Sequence, residues 1–175
     1  MERIEAVLSG LELALKMEAD GKKYYLQAAK ESSTEAGRKL FASLAEEEDD
    51  HARRFVEIYN HLKEKNAWPD GLKKSTPSHK IRTIFAEALE EMKDEGIKYE
   101  TEMKAVETAR KMEDDAIALY SRLAAEAKSQ VEKDFFEAII AEERGHSLAL
   151  NDYAEYLRDP AGWFVLKERH SLDGG

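Results

Sequence analysis

The sequence predicts an all-α protein: a four-helix bundle made of two helical hairpins, joined by a long crossover that contains a short extra helix. Three observations predict it. The chain resembles itself without a gap at an offset of 95 residues. Four stretches place apolar side chains at steps of three and four, the period of an amphipathic helix. The breaks within each pair of stretches are short, which folds each pair into an antiparallel hairpin, whereas the break between the pairs is long.

The self-resemblance is specific. Met17 and Glu18 align with Met112 and Glu113, and Asp20, Tyr25, Ala29 and Glu31 align with Asp115, Tyr120, Ala124 and Glu126. Phe41 aligns with Phe136, Glu47 and Glu48 with Glu142 and Glu143, and His51 with His146. A unit this long that occurs only twice is a duplicated hairpin rather than a solenoid repeat.

The first helix is read over residues 3–31, from the seam Ile4, Leu8, Leu11, Leu15, Glu18, Gly21, Tyr25 and Ala28. The second, over 35–65, carries Phe41, Leu44, Glu48, His51, Phe55, Ile58 and Leu62. The crossover, 66–96, holds the turn-forming Trp68-Pro69-Asp70-Gly71 and Thr76-Pro77-Ser78. Its stripe Ile81, Ile84, Phe85, Ala88, Leu89 and Met92 predicts the short extra helix. A helix of 30 residues is about 45 Å long, a span this connection can run back along.

The next long helix is read over 97–127, on Val106, Ala109, Glu113, Ala116, Tyr120, Leu123 and Ala127. The last, over 131–157, carries Phe136, Ile139, Glu143, His146, Leu150, Tyr153 and Leu157. Ser32-x-x-Glu35 and Ser129-x-x-Glu132 read as capping boxes that start the second hairpin arms. Asp159-Pro160 stops the last helix. Residues 1–158 are therefore read as the bundle and 159–175 as a tail, with Trp163, Phe164, Val165 and Leu166 packed on it.

Six residues break the apolar seams: Glu18, Glu48, His51, Glu113, Glu143 and His146. Each lies near the middle of its helix, so all six fall in one layer. Buried charges are costly unless paired or bound to metal. No Lys or Arg occupies the same seam layer; Lys22 is the nearest base, and Gly21 fits the seam better. Two divalent cations would balance four carboxylates. Glu and His three apart on a helix point to one side, so both can reach the same metal pair. The spacing from Glu18 to Glu48 equals that from Glu113 to Glu143, 30 residues each.

Tyr25 and Tyr120 lie two turns beyond Glu18 and Glu113 on the same faces. They read either as hydroxyls that orient the carboxylates or as core tyrosines that find any acceptor. Gly21 and Ala116 either leave room for an exogenous ligand or permit close helix packing. Glu47, Glu142, Asp49 and Asp50 read as a solvated face, and His61, His79 and His170 as surface histidines.

Composition narrows the function. The chain has 175 residues, no Cys and a formal net charge of −10. Without Cys there are no disulfides, thiolate metal sites or thiol nucleophiles within it. An acidic chain with no basic block argues against nucleic acid and anionic membrane as partners. No apolar stretch is long enough to span a bilayer, and residues 1–25 lack a signal-peptide pattern, so a cytoplasmic location is expected.

The segments KMEADGKKYYLQAA, LAEEEDDHARRF, KMEDDAIALYSRLA and IIAEERGHSLAL resemble the rubrerythrin branch of the ferritin-like superfamily. One Glu from each of two helices and Glu-x-x-His from each of the others is the donor set of that superfamily's dimetal proteins. The resemblance implies a ferritin-like bundle and a pair of iron ions, with Mn or Zn as substitutes. It makes Glu48 and Glu143 bridging ligands, Glu18 and Glu113 terminal ones, and His51 and His146 the caps of one iron each. It implies an enzyme that reduces hydrogen peroxide or oxygen, and a homodimer. Alternatives are a ferroxidase and a bundle that the metals merely stabilise. Two features depart from the family pattern. There is no cysteine-rich rubredoxin module, which implies a separate electron-donor protein. A further glutamate used by the family's ligand-switching mechanism is here Ala116, which leaves six ligands.

Overall fold

The computed structural model describes residues 2–69, 96–160 and 163. Four long helices account for nearly all of them: α1 (Glu2–Glu31), α2 (Glu35–Lys65), α3 (Tyr99–Glu126) and α4 (Gln130–Arg158). They match the four periodic stretches to within two residues at each end. The extra helix expected on Ile81 to Met92 lies outside the described residues, as do Phe164, Val165 and Leu166.

The helices start and stop for local reasons. The first hairpin turns on three residues. Thr34, not Ser32, caps α2: its hydroxyl accepts the Gly37 N–H at 2.8 Å. Ser32 instead donates to the Thr34 carbonyl and to Glu102 of α3, each at 3.1 Å. Ser129 does cap α4, accepting the Glu132 N–H at 3.2 Å, and Glu132 reaches back to the Lys128 N–H at 3.1 Å. The box at α4 is thus one residue wider than the sequence pattern. Asn66 ends α2 in the left-handed region, at φ 54°, with its N–H on the Leu62 carbonyl.

Packing is closest within the hairpins, α1 on α2 and α3 on α4; between the hairpins α1 meets α3, and α2 meets α4 more loosely. Side chains fill that looser face. Phe55 of α2 packs edge-to-face on Phe135 of α4, with ring centroids 5.5 Å apart. Trp68, at the start of the crossover, closes on Phe135 and Phe136. Trp163 is buried against Tyr156.

The core is in two halves. One holds Tyr25, Leu40, Phe41, Leu44, Val106, Tyr153 and Leu157. The other holds Leu11, Phe55, Ile58, Leu62, Leu119, Tyr120, Phe136 and Ile139. Each buried side chain of this size contributes about 1.5–3 kcal/mol. Between the halves runs the polar layer, walled by apolar side chains at both ends.

Candidate metal centre

All six seam-breaking residues meet in that layer, and each is at least 94% buried. Their side chains form two overlapping groups. Glu18, Glu48, His51 and Glu143 offer ligand atoms all within 4.8 Å of one another, and so do Glu48, Glu113, Glu143 and His146. Glu48 and Glu143 belong to both. The grouping follows from the duplication: each hairpin supplies one Glu and one Glu-x-x-His, so the two groups have corresponding members. The imidazoles of His51 and His146 stack with centroids 5.5 Å apart.

The imidazoles present the same edge. His51 Nδ1 lies 3.2 Å from Glu18 Oε2 and 3.1 Å from Glu143 Oε1. His146 Nδ1 lies 2.9 Å from Glu143 Oε2 and 3.5 Å from Glu113 Oε2. Both Nδ1 atoms thus face the carboxylates, and both Nε2 atoms face away.

The tyrosines cross the bundle. Tyr25 of α1 donates its hydroxyl hydrogen to Glu113 of α3, and Tyr120 of α3 donates to Glu18 of α1. Each hydroxyl therefore orients the other repeat's carboxylate rather than the one on its own helix. Tyr25 sits in one half of the core and Tyr120 in the other, so the layer is held from both ends.

Gly21 has a definite reason. A Cβ there would lie 2.6 Å from Glu48 Oε2, so the missing side chain makes room for that carboxylate. Gly21 and Ala116 also line a cleft of about 180 Å³ between α1 and α3. Glu18, Glu48 and Glu113 form its floor, and Met17, Met112, Asp20 and Asp115 complete its walls. At Gly21 the space is taken by the Glu48 carboxylate, a role that neither reading of these small residues named.

The protein alone does not satisfy this cluster. Both oxygens of Glu143 and Nδ1 of His146 lie at ion-pair distance from their neighbours without forming well-aligned hydrogen bonds, and His146 Nε2 is buried with no hydrogen-bond partner among the described residues. Burial, then the charges of Glu18, Glu143 and Glu113, push Glu48 well above the usual carboxylate pKa. Burial likewise lifts Glu113 to about 7, although His146 pulls it down. Burial opposes charge on both imidazoles, yet the surrounding carboxylates outweigh it and raise both pKa values well above the ordinary 6.5. Glu143 goes the other way: burial opposes its charge, but the two imidazoles hold its pKa well below the ordinary value. Protons thus do part of the neutralising in the metal-free protein. Carboxylate and imidazole donors, orphaned and convergent, suit divalent iron or manganese, and the residues fit a dimetal centre.

One residue departs from the sequence reading. Glu142, assigned there to a solvated face, is 6% exposed. It accepts from His51 Nε2 at 2.9 Å and from Arg54 Nη1 at 2.8 Å. The hydrogen bond to His51 and the Arg54 charge lower its pKa despite burial. Glu142 and Glu143 are successive residues, and both reach His51 across the loosely packed face between α2 and α4. The neighbours in that reading stay outside: Asp49 pairs with Lys22 at 2.5 Å, Asp50 pairs with Arg53, and Glu47 is half-buried. His61 is half-buried outside the layer, and His79 and His170 lie outside the described residues.

Among the described residues no helix is long and apolar enough to cross a membrane. No curated protein and no solved structure matches the chain. The family model Rubrerythrin matches residues 10–154, a range that holds all six convergent donors and both tyrosines. The chain belongs to the rubrerythrin family, whose members hold a di-iron carboxylate centre and are commonly oxidoreductases.

Proposed function

We propose that the protein is a di-iron oxidoreductase that reduces hydrogen peroxide, or oxygen, with electrons from a separate donor protein. The observation that carries the reading is the pair of overlapping four-donor groups that share Glu48 and Glu143. Glu18 and His51 would complete one metal position, Glu113 and His146 the other. When bound, the iron pair supplies the two electrons that, with two protons, convert hydrogen peroxide into two water molecules.

The chain's own residues do the rest. The two apolar halves of the core keep bulk water from the layer's ends. The cleft between α1 and α3 offers an approach whose volume suits a small substrate, a water molecule's share of the liquid being about 30 Å³, and a second cleft between α1 and α2 also reaches Glu18 and Glu48. Tyr25 and Tyr120 fix the outer carboxylates so that the donors stay convergent. Gly21 keeps Glu48 within reach of both positions.

The acidic lining of the cleft, Asp20 and Asp115, favours a second reading in which iron(II) is itself the substrate. Stopped-flow mixing of the anaerobic iron-loaded protein separates the two. The first reading predicts rapid oxidation by peroxide and sustained turnover when a reductant is added. Repeated iron(II) oxidation that ends in a mineral identifies the second. No redox change with either oxidant defeats both.

A further inference from the structure

The two histidines are not held alike. His51 has its outward Nε2 on Glu142, 2.9 Å away, and Arg54 grips the same carboxylate oxygen at 2.8 Å. All three are buried or partly buried: His51 is 0% and Glu142 6% exposed, and the Arg54 side chain is 25% exposed. His146, at the related position, has an equally buried Nε2 that no group among the described residues meets. The duplication shows why. Glu142 corresponds to Glu47, which is half-buried and makes no bond to His146, and Arg54 corresponds to Ala149, which has no charge to offer.

A carboxylate on the outer nitrogen of a ligating imidazole fixes the tautomer and the ring plane and makes the inner nitrogen a better donor. Here the inner nitrogen is Nδ1, which faces Glu18 and Glu143. An imidazole without such a partner must find its orientation from packing alone. We propose that Glu142, anchored by Arg54, is a positioning residue that makes the two metal positions unequal, so that the one completed by His51 fills first and holds its ion more tightly. The inference rests on the dimetal reading of the site and adds an order to it. The ion beside His146 is then the one that exchanges more readily.

Anaerobic titration with cobalt(II), read by visible absorption, tests this without turnover. The wild-type chain should bind two ions with distinct affinities. Glu142→Gln should weaken the tighter step by about 10–100-fold and leave the weaker step unchanged. Arg54→Met should act in the same direction. Glu47→Gln, the symmetry-related change, should alter neither step. Thermal melts of the metal-free variants keep the readout separate from folding, since a purely structural role would lower the melting temperature without singling out one step. Two equal affinities in the wild type, or Glu142→Gln and Arg54→Met acting on both steps alike, would overturn the inference while leaving the dimetal centre intact. Absence of cobalt binding by the wild type would overturn both.

Discussion

At the residue scale, the centre depends on where small and polar side chains stand as much as on the donors themselves. Gly21 is the sharpest case. Ala is favoured over Gly inside a helix by about 1 kcal/mol, which offsets the displacement of Glu48 in the metal-free protein, so Gly21→Ala should change its stability little. Its new Cβ would meet Glu48 Oε2 at 2.6 Å and push that carboxylate off position. Metal affinity should therefore fall by about tenfold or more, comparable to the loss of a ligand's supporting contact. Metal titration beside a thermal melt checks this; unchanged affinity would mean that Glu48 has freedom to spare. The donors were legible in the sequence because a charged residue in an apolar seam is costly, and six of them coincided in one layer. Glu142 was not. It is adjacent to Glu143, and helical periodicity places neighbours about 100° apart, so its inward contacts with His51 and Arg54 depend on how α2 packs on α4. The duplication held a weak signal, since Arg54 corresponds to the uncharged Ala149, but many other related positions differ as much.

At the element scale, the polar layer requires four helices in register, and the hairpin turns fix that register. Glu102 of α3 is 1% exposed and accepts from the Ser32 hydroxyl at 3.1 Å, the Ser33 hydroxyl at 2.8 Å and Tyr153 at 2.8 Å, as well as from the Ser33 N–H. It thereby ties the α1–α2 turn to α3 and α4. Glu102→Ala would strand several buried donors and should cost about 3 kcal/mol. Ser129→Ala, which removes only the cap of α4, should cost about 1 kcal/mol. Urea unfolding of both variants measures the difference, and equal costs would show that the network adds nothing beyond the cap. The helix limits were readable from periodicity, but this tie was not. Ser32 and Glu35 spell a capping box, yet the long reach from Glu102 draws Ser32 away and passes the cap to Thr34. A contact between residues 70 positions apart leaves no local pattern.

At the scale of the whole molecule, the layer couples metal binding, protonation and stability. Folding raises the pKa of Glu113 from 4.5 to about 7 and raises those of Glu48, His51 and His146 as well. For these four groups the folded metal-free chain holds more protons than the unfolded one, so their contribution to stability falls as pH rises. The imidazoles stabilise fully below their unfolded value of 6.5 and lose that contribution as pH climbs through their folded values. Glu143, whose pKa is lowered, acts oppositely, losing its contribution only as pH falls below 4.5. Between about pH 5 and pH 8 the metal-free protein should therefore melt at progressively lower temperature. The metal-loaded protein should not follow it, because ligation needs the deprotonated donors and strengthens with pH. Melting curves of both forms across that range should diverge; parallel curves would contradict a shared buried cluster.

On the proposed reading, the polar layer holds a pair of metal ions. The most direct test is the metal-to-chain ratio after anaerobic loading with iron(II) and removal of excess, in the wild type and in Glu143→Ala. Glu143 belongs to both donor groups, so the wild type should carry about two ions per chain and the variant should lose ions at both positions. A wild-type ratio near zero, or a variant that keeps its full complement, would contradict that reading.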